Sequence, residues 1–194
     1  MNEIHLQSLF MSRLWAERSC AAEGCCSEQE VDNLENAMHF MLTYKRELPI
    51  LVLTADMILD FHRQVLRGSI HAGKIRDCYV ETVYNGEKHI YPSPEHLETH
   101  LQSICDAYNK AIFRDVQPTT ALVAWLIFNF LSLHPFHDGN GRTARVLAAY
   151  CLDGVVVQNW VDAIVTVRKT VDLISFPIWC DTSPLESIFL IMPD

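Results

Sequence analysis

Apolar residues recur at helical spacing along most of the chain, and caps, glycines and prolines mark the breaks. From Asn2 to about Ala22, the residues Ile4, Leu6, Leu9, Phe10 and Trp15 predict an N-terminal helix. Gly24 to Ser27 interrupts it, and Ser27 with Glu30 three residues later makes a capping box for a second helix. That helix runs from Glu28 towards Met41, with Val31, Leu34, Met38 and Leu42 as its apolar stripe. Leu48-Pro49 marks a loop. Thr54 then caps a helix from Ala55 to about Leu66, carrying Met57, Ile58, Phe61 and Val65, and Gly68 stops it. Between Gly73 and Pro92 the period changes. β-Branched and aromatic residues flank Asn85-Gly86, a strong hairpin signal. Ser93-Pro94-Glu95 restarts helix to about Lys110, with N-cap, proline and acid in sequence. Thr119 to Leu133 is apolar almost all round and should be enclosed by its neighbours. A further helix runs from Gly141 to about Asp153, with Val146, Leu147 and Tyr150 apolar. Beyond Gly154, Val155-Val-Val and Ile164-Val-Thr-Val read as strand by propensity alone.

Composition narrows the class. The 194 residues suffice for one domain with a real core, and no linker, repeat or low-complexity segment divides them, so 1–194 reads as one domain. The formal net charge of −9 argues against non-specific nucleic-acid binding and against an anionic membrane surface. The apolar run from Ala121 to Leu133 contains Asn129 and is too short to span a bilayer. Seven cysteines with no evident secretory signal point to reduced thiols in a cytoplasmic compartment. Cys20, Cys25 and Cys26, near His5 or His39, match no zinc spacing.

Candidate chemistry concentrates in His134-Pro-Phe-His-Asp-Gly-Asn-Gly-Arg-Thr-Ala-Arg145. Pro135 disfavours helical backbone at His134, so the preceding helix should end there and leave an imidazole at a helix-to-loop junction. Gly139 and Gly141 permit positive φ and close approach of backbone N–H groups to a ligand. Asn140 is a suitable N-cap for the next helix. Arg142 and Arg145 share one face of its first turns, where cations oppose the helix dipole unless an anion sits between them. A glycine-flanked helix N-terminus with two arginines is a phosphate site. Asp138 beside it is a hard oxygen ligand suited to Mg²⁺. Base, metal ligand, anion nest and two guanidiniums together describe phosphoryl or nucleotidyl transfer. His137 lies within the string and should face solvent or a bound partner. His62 and His100 fall in helical patterns, where a lone histidine is usually surface or satisfied core.

This string resembles the signature of the Fic family, complete from His134 to Arg145. The resemblance implies an all-α helical bundle with a short β-hairpin flap, and it makes the runs beyond Gly154 helices. It implies a protein adenylyltransferase that moves AMP from ATP, with Mg²⁺, to a Ser, Thr or Tyr hydroxyl of a target protein. His134 would be the base and Asp138 would hold Mg²⁺. Gly139, Asn140, Gly141 and Arg142 would bind the nucleotide phosphates, and Arg145 the γ-phosphate. The related Doc kinases lack the Gly-Asn-Gly, so its presence favours AMP transfer over phosphorylation.

The hairpin and Arg76 resemble the family's flap, whose edge holds a target segment by strand addition. Val83, Tyr84, Asn85 and Gly86 would be its target-binding positions, while Arg76 fixes the flap or contacts the target. Many members also carry an inhibitory helix with Ser/Thr-x-x-x-Glu-Gly/Asn, whose Glu pairs with the second signature arginine. Glu35-Asn36 matches its second half, and Val31 departs from its first, so Glu35 is expected to pair with Arg145. Ala149 stands where many members carry an Asn near the nucleobase, which leaves the nucleotide open. Three further readings stand beside the transferase: AMP removal with Glu35 orienting a water, transfer of another nucleotide, and a non-catalytic nucleotide-binding regulator. The oligomeric state, homo-oligomer or monomer, is not legible.

Overall fold

The computed structural model describes residues 3–21, 27–47, 52–84, 87–114 and 120–151. The expectations for Gly24 to Cys26, for Asn85 and Gly86, and for helices across 154–194 lie outside those residues. The order is α1 (Glu3–Ala21), α2 (Glu28–Glu47), α3 (Ala55–Val65), β1 (Glu81–Tyr84), β2 (Glu87–Ile90), a 3₁₀ turn (Pro94–His96), α4 (Leu97–Ile112), α5 (Thr120–Leu133) and α6 (Asn140–Cys151). The expected all-α bundle with one small hairpin is what forms.

Two of the caps read from the sequence are made, while Ser93 makes no side-chain cap bond and a 3₁₀ turn precedes α4, whose N-cap is His96. Thr54 accepts from the Met57 N–H at 3.2 Å. The Ser27 hydroxyl accepts from the Glu30 N–H at 3.3 Å, and Glu30 Oε2 accepts from the Ser27 N–H at 2.8 Å. In α2 the buried stripe is Val31, Leu34, Met38 and Met41, and the helix continues to Glu47. Leu42, expected in that stripe, is exposed instead, because the 3.6 period turns Met41 inward in its place.

The enclosed helix is α6, not α5. Asn140 and every residue from Arg142 to Cys151 are buried, and α6 packs against α5, α3, α2 and α1. Small residues at Ala144, Ala148 and Ala149 let neighbours approach from several sides, so α6 lacks an apolar stripe to read. In α5, Ala124 is exposed and Trp125, Phe128 and Leu131 are half-buried. The core joins Phe61 of α3 to Tyr150 of α6 with ring centroids 5.7 Å apart. Phe130, Phe136, Leu34 and Leu126 complete its centre. Asn109 of α4 clamps the entry to α3, accepting from the Leu53 N–H at 2.8 Å and donating to its carbonyl at 2.7 Å.

The hairpin stands at the periphery. β1 and β2 are antiparallel, pairing Glu81 with Ile90, Thr82 with His89, Val83 with Lys88 and Tyr84 with Glu87. Val83 is 70% exposed and Ile90 53%. Two isolated strands cannot hold this position alone. Their attachment to the helices comes from the two residues that flank them, Arg76 and Tyr91. Among the described residues no helix is long and apolar enough to cross a membrane.

Candidate active site

The loop from His134 to Gly139 joins α5 to α6 and is folded by its own polar groups. α5 ends at Leu133, and the His134 N–H still donates to the Phe130 carbonyl at 3.0 Å. His134 then turns to φ 48°, the left-handed region that non-glycine residues rarely adopt. Two bonds hold the turn. Arg76 Nε donates to the His134 carbonyl at 2.7 Å, and the Arg76 N–H donates to the Pro135 carbonyl at 2.9 Å. The same guanidinium donates to the carbonyls of Cys78 (2.8 Å) and Pro92 (2.7 Å). Arg76 is buried, which lowers its pKa from the ordinary arginine value. Arg76 thus bonds backbone on both sides, in the loop at His134 and Pro135 and in the segments flanking the hairpin at Cys78 and Pro92. Tyr91, on the far side of the hairpin, lays its ring on the His134 imidazole, with centroids 3.8 Å apart and planes 18° apart.

Phe136 turns inward and stacks on His62 of α3 at 3.7 Å. His62 is the satisfied core histidine the pattern allowed, and it is also a buttress of the loop. Its Nδ1 accepts from the Gly73 N–H at 3.0 Å, so Nε2 carries the proton and donates to the Asp138 carbonyl at 3.0 Å. Burial holds its pKa down at about 4. His137 is exposed and stacks on His71 at 4.8 Å, and His100 is exposed.

Asn140 does not cap α6. It is the first residue of the helix, and its amide closes the loop: Oδ1 accepts from the Phe136 N–H at 3.0 Å and Nδ2 donates to the Phe136 carbonyl at 2.8 Å. Gly139 takes the position before the helix, with φ 74° and its carbonyl accepting from the Thr143 N–H at 2.9 Å. A Cβ there would meet Leu66 Cγ at 3.2 Å. Gly141 is helical, so only one of the two glycines uses positive φ.

Asp138 is 65% exposed beside this helix start. Its Oδ1 accepts from the Gly139 N–H at 2.6 Å, and its Oδ2 pairs with Arg142 Nη2 at 3.2 Å. Arg142 is buried, and its Nη1 donates to Glu30 Oε1 at 2.9 Å. Glu30 therefore serves two partners, the N-cap of α2 with one oxygen and Arg142 with the other. These contacts hold its carboxyl below the usual range, led by the Ser27 N–H and opposed in part by desolvation.

The bonds drawn from the two signature arginines go to different partners, Arg142 to Glu30 and Asp138 and Arg145 to Ser19. Arg145 is buried one turn further along α6 and donates from Nη2 to the Ser19 carbonyl of α1 at 2.9 Å. The expected Glu35–Arg145 pair is corrected by this geometry. Glu35 Oε2 meets Arg13 Nη1 at 3.4 Å, and Glu35 Oε1 lies 4.0 Å from His39 Nε2. Arg13 also holds Asp32 and Glu17, so this face of α1 and α2 is an acidic cluster around one guanidinium. From α2 the carboxylate that reaches the signature is Glu30. Asn36 lines an open cleft of about 450 Å³ with Gln29, Asn33, Arg67 and Gly68. Val83 and Tyr84 sit in β1.

Glu30, His62 and Tyr91 were not among the candidate residues. Glu30 was legible only as a cap, and His62 only as a polar interruption of an apolar helix. Tyr91 carried no signal beyond strand propensity.

A chain so folded has relatives. The Fic/DOC family model matches residues 52–152. A protein adenylyltransferase Fic of Nematostella vectensis is 31% identical over 156 residues, 75% of this chain and 34% of its own length. A Fido domain-containing protein of Dictyostelium discoideum is 40% identical over 73 residues, 35% of this chain and 47% of its own. This chain thus spans between a third and a half of these relatives. Among solved structures, a Fic domain containing signaling protein of Bacteroides thetaiotaomicron aligns with TM-score 0.56 at 23% identity, covering 71% of this chain and 56% of that one. Another, a Fic protein in complex with adenylylated Cdc42, aligns with TM-score 0.52 at 22% identity, covering 74% of this chain and 47% of that one. At these identities the solved structures speak for the fold.

Proposed function

The chain belongs to the Fic/DOC family, and from that premise we propose that it is a protein adenylyltransferase. It transfers AMP from ATP to a Ser, Thr or Tyr hydroxyl of a target protein held along the hairpin. The observation that supports this reading is the loop itself. An imidazole, an exposed carboxylate, a helix N-terminus and the buried Arg142 guanidinium are gathered on the backbone between α5 and α6.

The chemistry follows from these groups. The His134 imidazole accepts the proton of the target hydroxyl as its oxygen attacks the α-phosphorus. A phosphorus–oxygen ester bond forms, the α–β anhydride bond breaks, and pyrophosphate leaves. The first N–H groups of α6 have no partner within the helix and point at the incoming phosphates. Arg142 meets those phosphates as it exchanges Asp138 for an anion. To meet a γ-phosphate, Arg145 has to give up its bond to Ser19.

Asp138 fits a hard cation. Its carboxylate takes two hydrogen bonds, leaving lone pairs directed at solvent. Mg²⁺ would be held there by one carboxylate, phosphate oxygens and water, and would neutralise charge on the leaving pyrophosphate. A target strand adds to the hairpin through main-chain hydrogen bonds, as strand-edge recognition does. The solved Fic protein in complex with adenylylated Cdc42 supports a protein target.

The test is labelling with α-³²P-ATP and Mg²⁺, wild type beside His134→Ala. Protein-bound label is expected with wild type and absent with His134→Ala, while ATP binding by the variant persists. Equal labelling by both would remove His134 from the chemistry. α-³²P-UTP run in parallel reads the nucleotide choice that Ala149, buried in α6, leaves open.

A further inference from the structure

We propose that Tyr91 is a positioning residue for His134, and that together with Arg76 it makes the hairpin the part that sets the base. The inference rests on His134 being the base. Both feet of the hairpin stand on this one residue. The foot before β1 is Arg76, which holds the His134 carbonyl at 2.7 Å. The foot after β2 is Tyr91, which covers one face of the imidazole at 3.8 Å. The first contact fixes the backbone and the second fixes the ring.

Each contact has a distinct physical task. His134 sits at φ 48°, so its Cα–Cβ bond leaves the chain in a direction that right-handed backbone does not offer. With the backbone pinned, the imidazole keeps two torsions. Rotation about the second is broad for a ring on an sp³ carbon, so the ring's contacts select its orientation. A near-parallel aromatic face at van der Waals distance selects one plane and does not itself cover the ring's edge nitrogens. A hydroxyl approaches such an edge, so the stack orients the base without covering its reacting atoms.

Tyr91 is itself placed by the hairpin. Its N–H donates to the Val80 carbonyl at 3.1 Å, just beyond the ladder, and His89 meets its ring edge-on at 5.0 Å. A strand that pairs with the hairpin and changes its twist therefore moves Tyr91, and with it the plane of the base. Position 91 is a specificity point of a particular kind: it ties the orientation of His134 to how the hairpin is occupied.

The experiment compares Tyr91→Phe and Tyr91→Leu with the wild type by two independent readouts. The first is the pair of carbon-bound imidazole proton signals of His134, assigned by their loss in His134→Ala. Ring current from Tyr91 should shift them in the wild type and in Tyr91→Phe, and Tyr91→Leu should release them. The second is label transfer from α-³²P-ATP with Mg²⁺. Tyr91→Leu should lose about 10- to 100-fold in kcat, with KM for ATP within about twofold, as for a base misplaced by a fraction of an ångström. Tyr91→Phe should retain wild-type rates. Unmoved His134 signals in Tyr91→Leu would overturn the proposal, as would a shift in the signals with kcat unchanged. If the wild type transfers no label, the transferase reading fails, and the proton signals still decide whether Tyr91 orients the imidazole. Tyr91→Phe also controls for folding, since it keeps the ring and removes only the hydroxyl.

Discussion

At the residue scale the loop is held by side chains whose polar atoms are spent on backbone. Asn140, Arg76 and His62 each bond the main chain of the segment between His134 and Asp138. His62 makes this hold sensitive to pH. Its folded pKa of about 4 lies below the ordinary value of 6.5 because burial disfavours the charged ring. Between those values the unfolded chain takes up a proton that the folded chain refuses. The stability that the neutral ring supports is thus complete above pH 6.5 and is lost as pH falls towards 4, at about 1.4 kcal/mol per unit. Melting temperatures measured between pH 7 and 4.5 should fall less steeply for His62→Gln than for the wild type. Parallel slopes would show that His62 titrates normally in the fold. The sequence showed His62 only as one polar residue among Phe61, Val65 and Leu66. Nothing local says that Gly73 and Asp138 close on its two nitrogens, because those residues lie 11 and 76 positions away.

At the element scale, α2 presents two carboxylates to its surroundings, and their spacing separates their roles. Glu30 and Glu35 are five residues apart, about 500° around a helix, so they project some 140° from one another. Glu30 faces α6 and holds Arg142, while Glu35 faces Arg13 of α1. The motif-level reading picked Glu35 from its neighbour Asn36, and the geometry of the helix picks Glu30. On the proposed function, Glu30 competes with a phosphate for the Arg142 guanidinium. Glu30→Gln should therefore tighten ATP binding several-fold, and Glu35→Gly should change it less than twofold, as read by calorimetry. A larger effect from Glu35→Gly would restore the motif-level reading. Glu30→Gln should also cost about 1 kcal/mol of stability, through the weakened cap of α2. The element boundaries themselves were largely legible, because Thr54, Ser27 and Ser93-Pro94 announce their helices by local chemistry. Which helix lies at the centre was not, since α5 advertises burial by composition and α6 earns it by small residues.

At the scale of the whole molecule, α6 is the hub. It meets α1, α2, α3 and α5, and its two arginines are the ties: Arg142 to α2 and Arg145 to α1. A site built this way couples its two arginines to the seating of the N-terminal helices. Arg145→Gln should speed amide exchange across Trp15 to Ala21 of α1 and leave α4 at wild-type rates. Unchanged exchange in α1 would mean that apolar packing alone seats it. The family and the bundle could be recognised from twelve contiguous residues, His134 to Arg145, because their chemistry is local. The pairing of each arginine could not, because it depends on where α1 and α2 dock.

The left-handed turn at His134 has one more consequence. Such backbone costs a side-chain-bearing residue about 1–2 kcal/mol, and asparagine tolerates it better than histidine. Stability and chemistry thus prefer different residues at the same position. A population of variants screened for heat resistance alone would be drawn away from imidazole there, while Phe130, Phe136 and Tyr150 stayed fixed. Its survivors would keep the shape of the loop, the arginines and the hairpin, and would have lost the imidazole proposed to accept the proton.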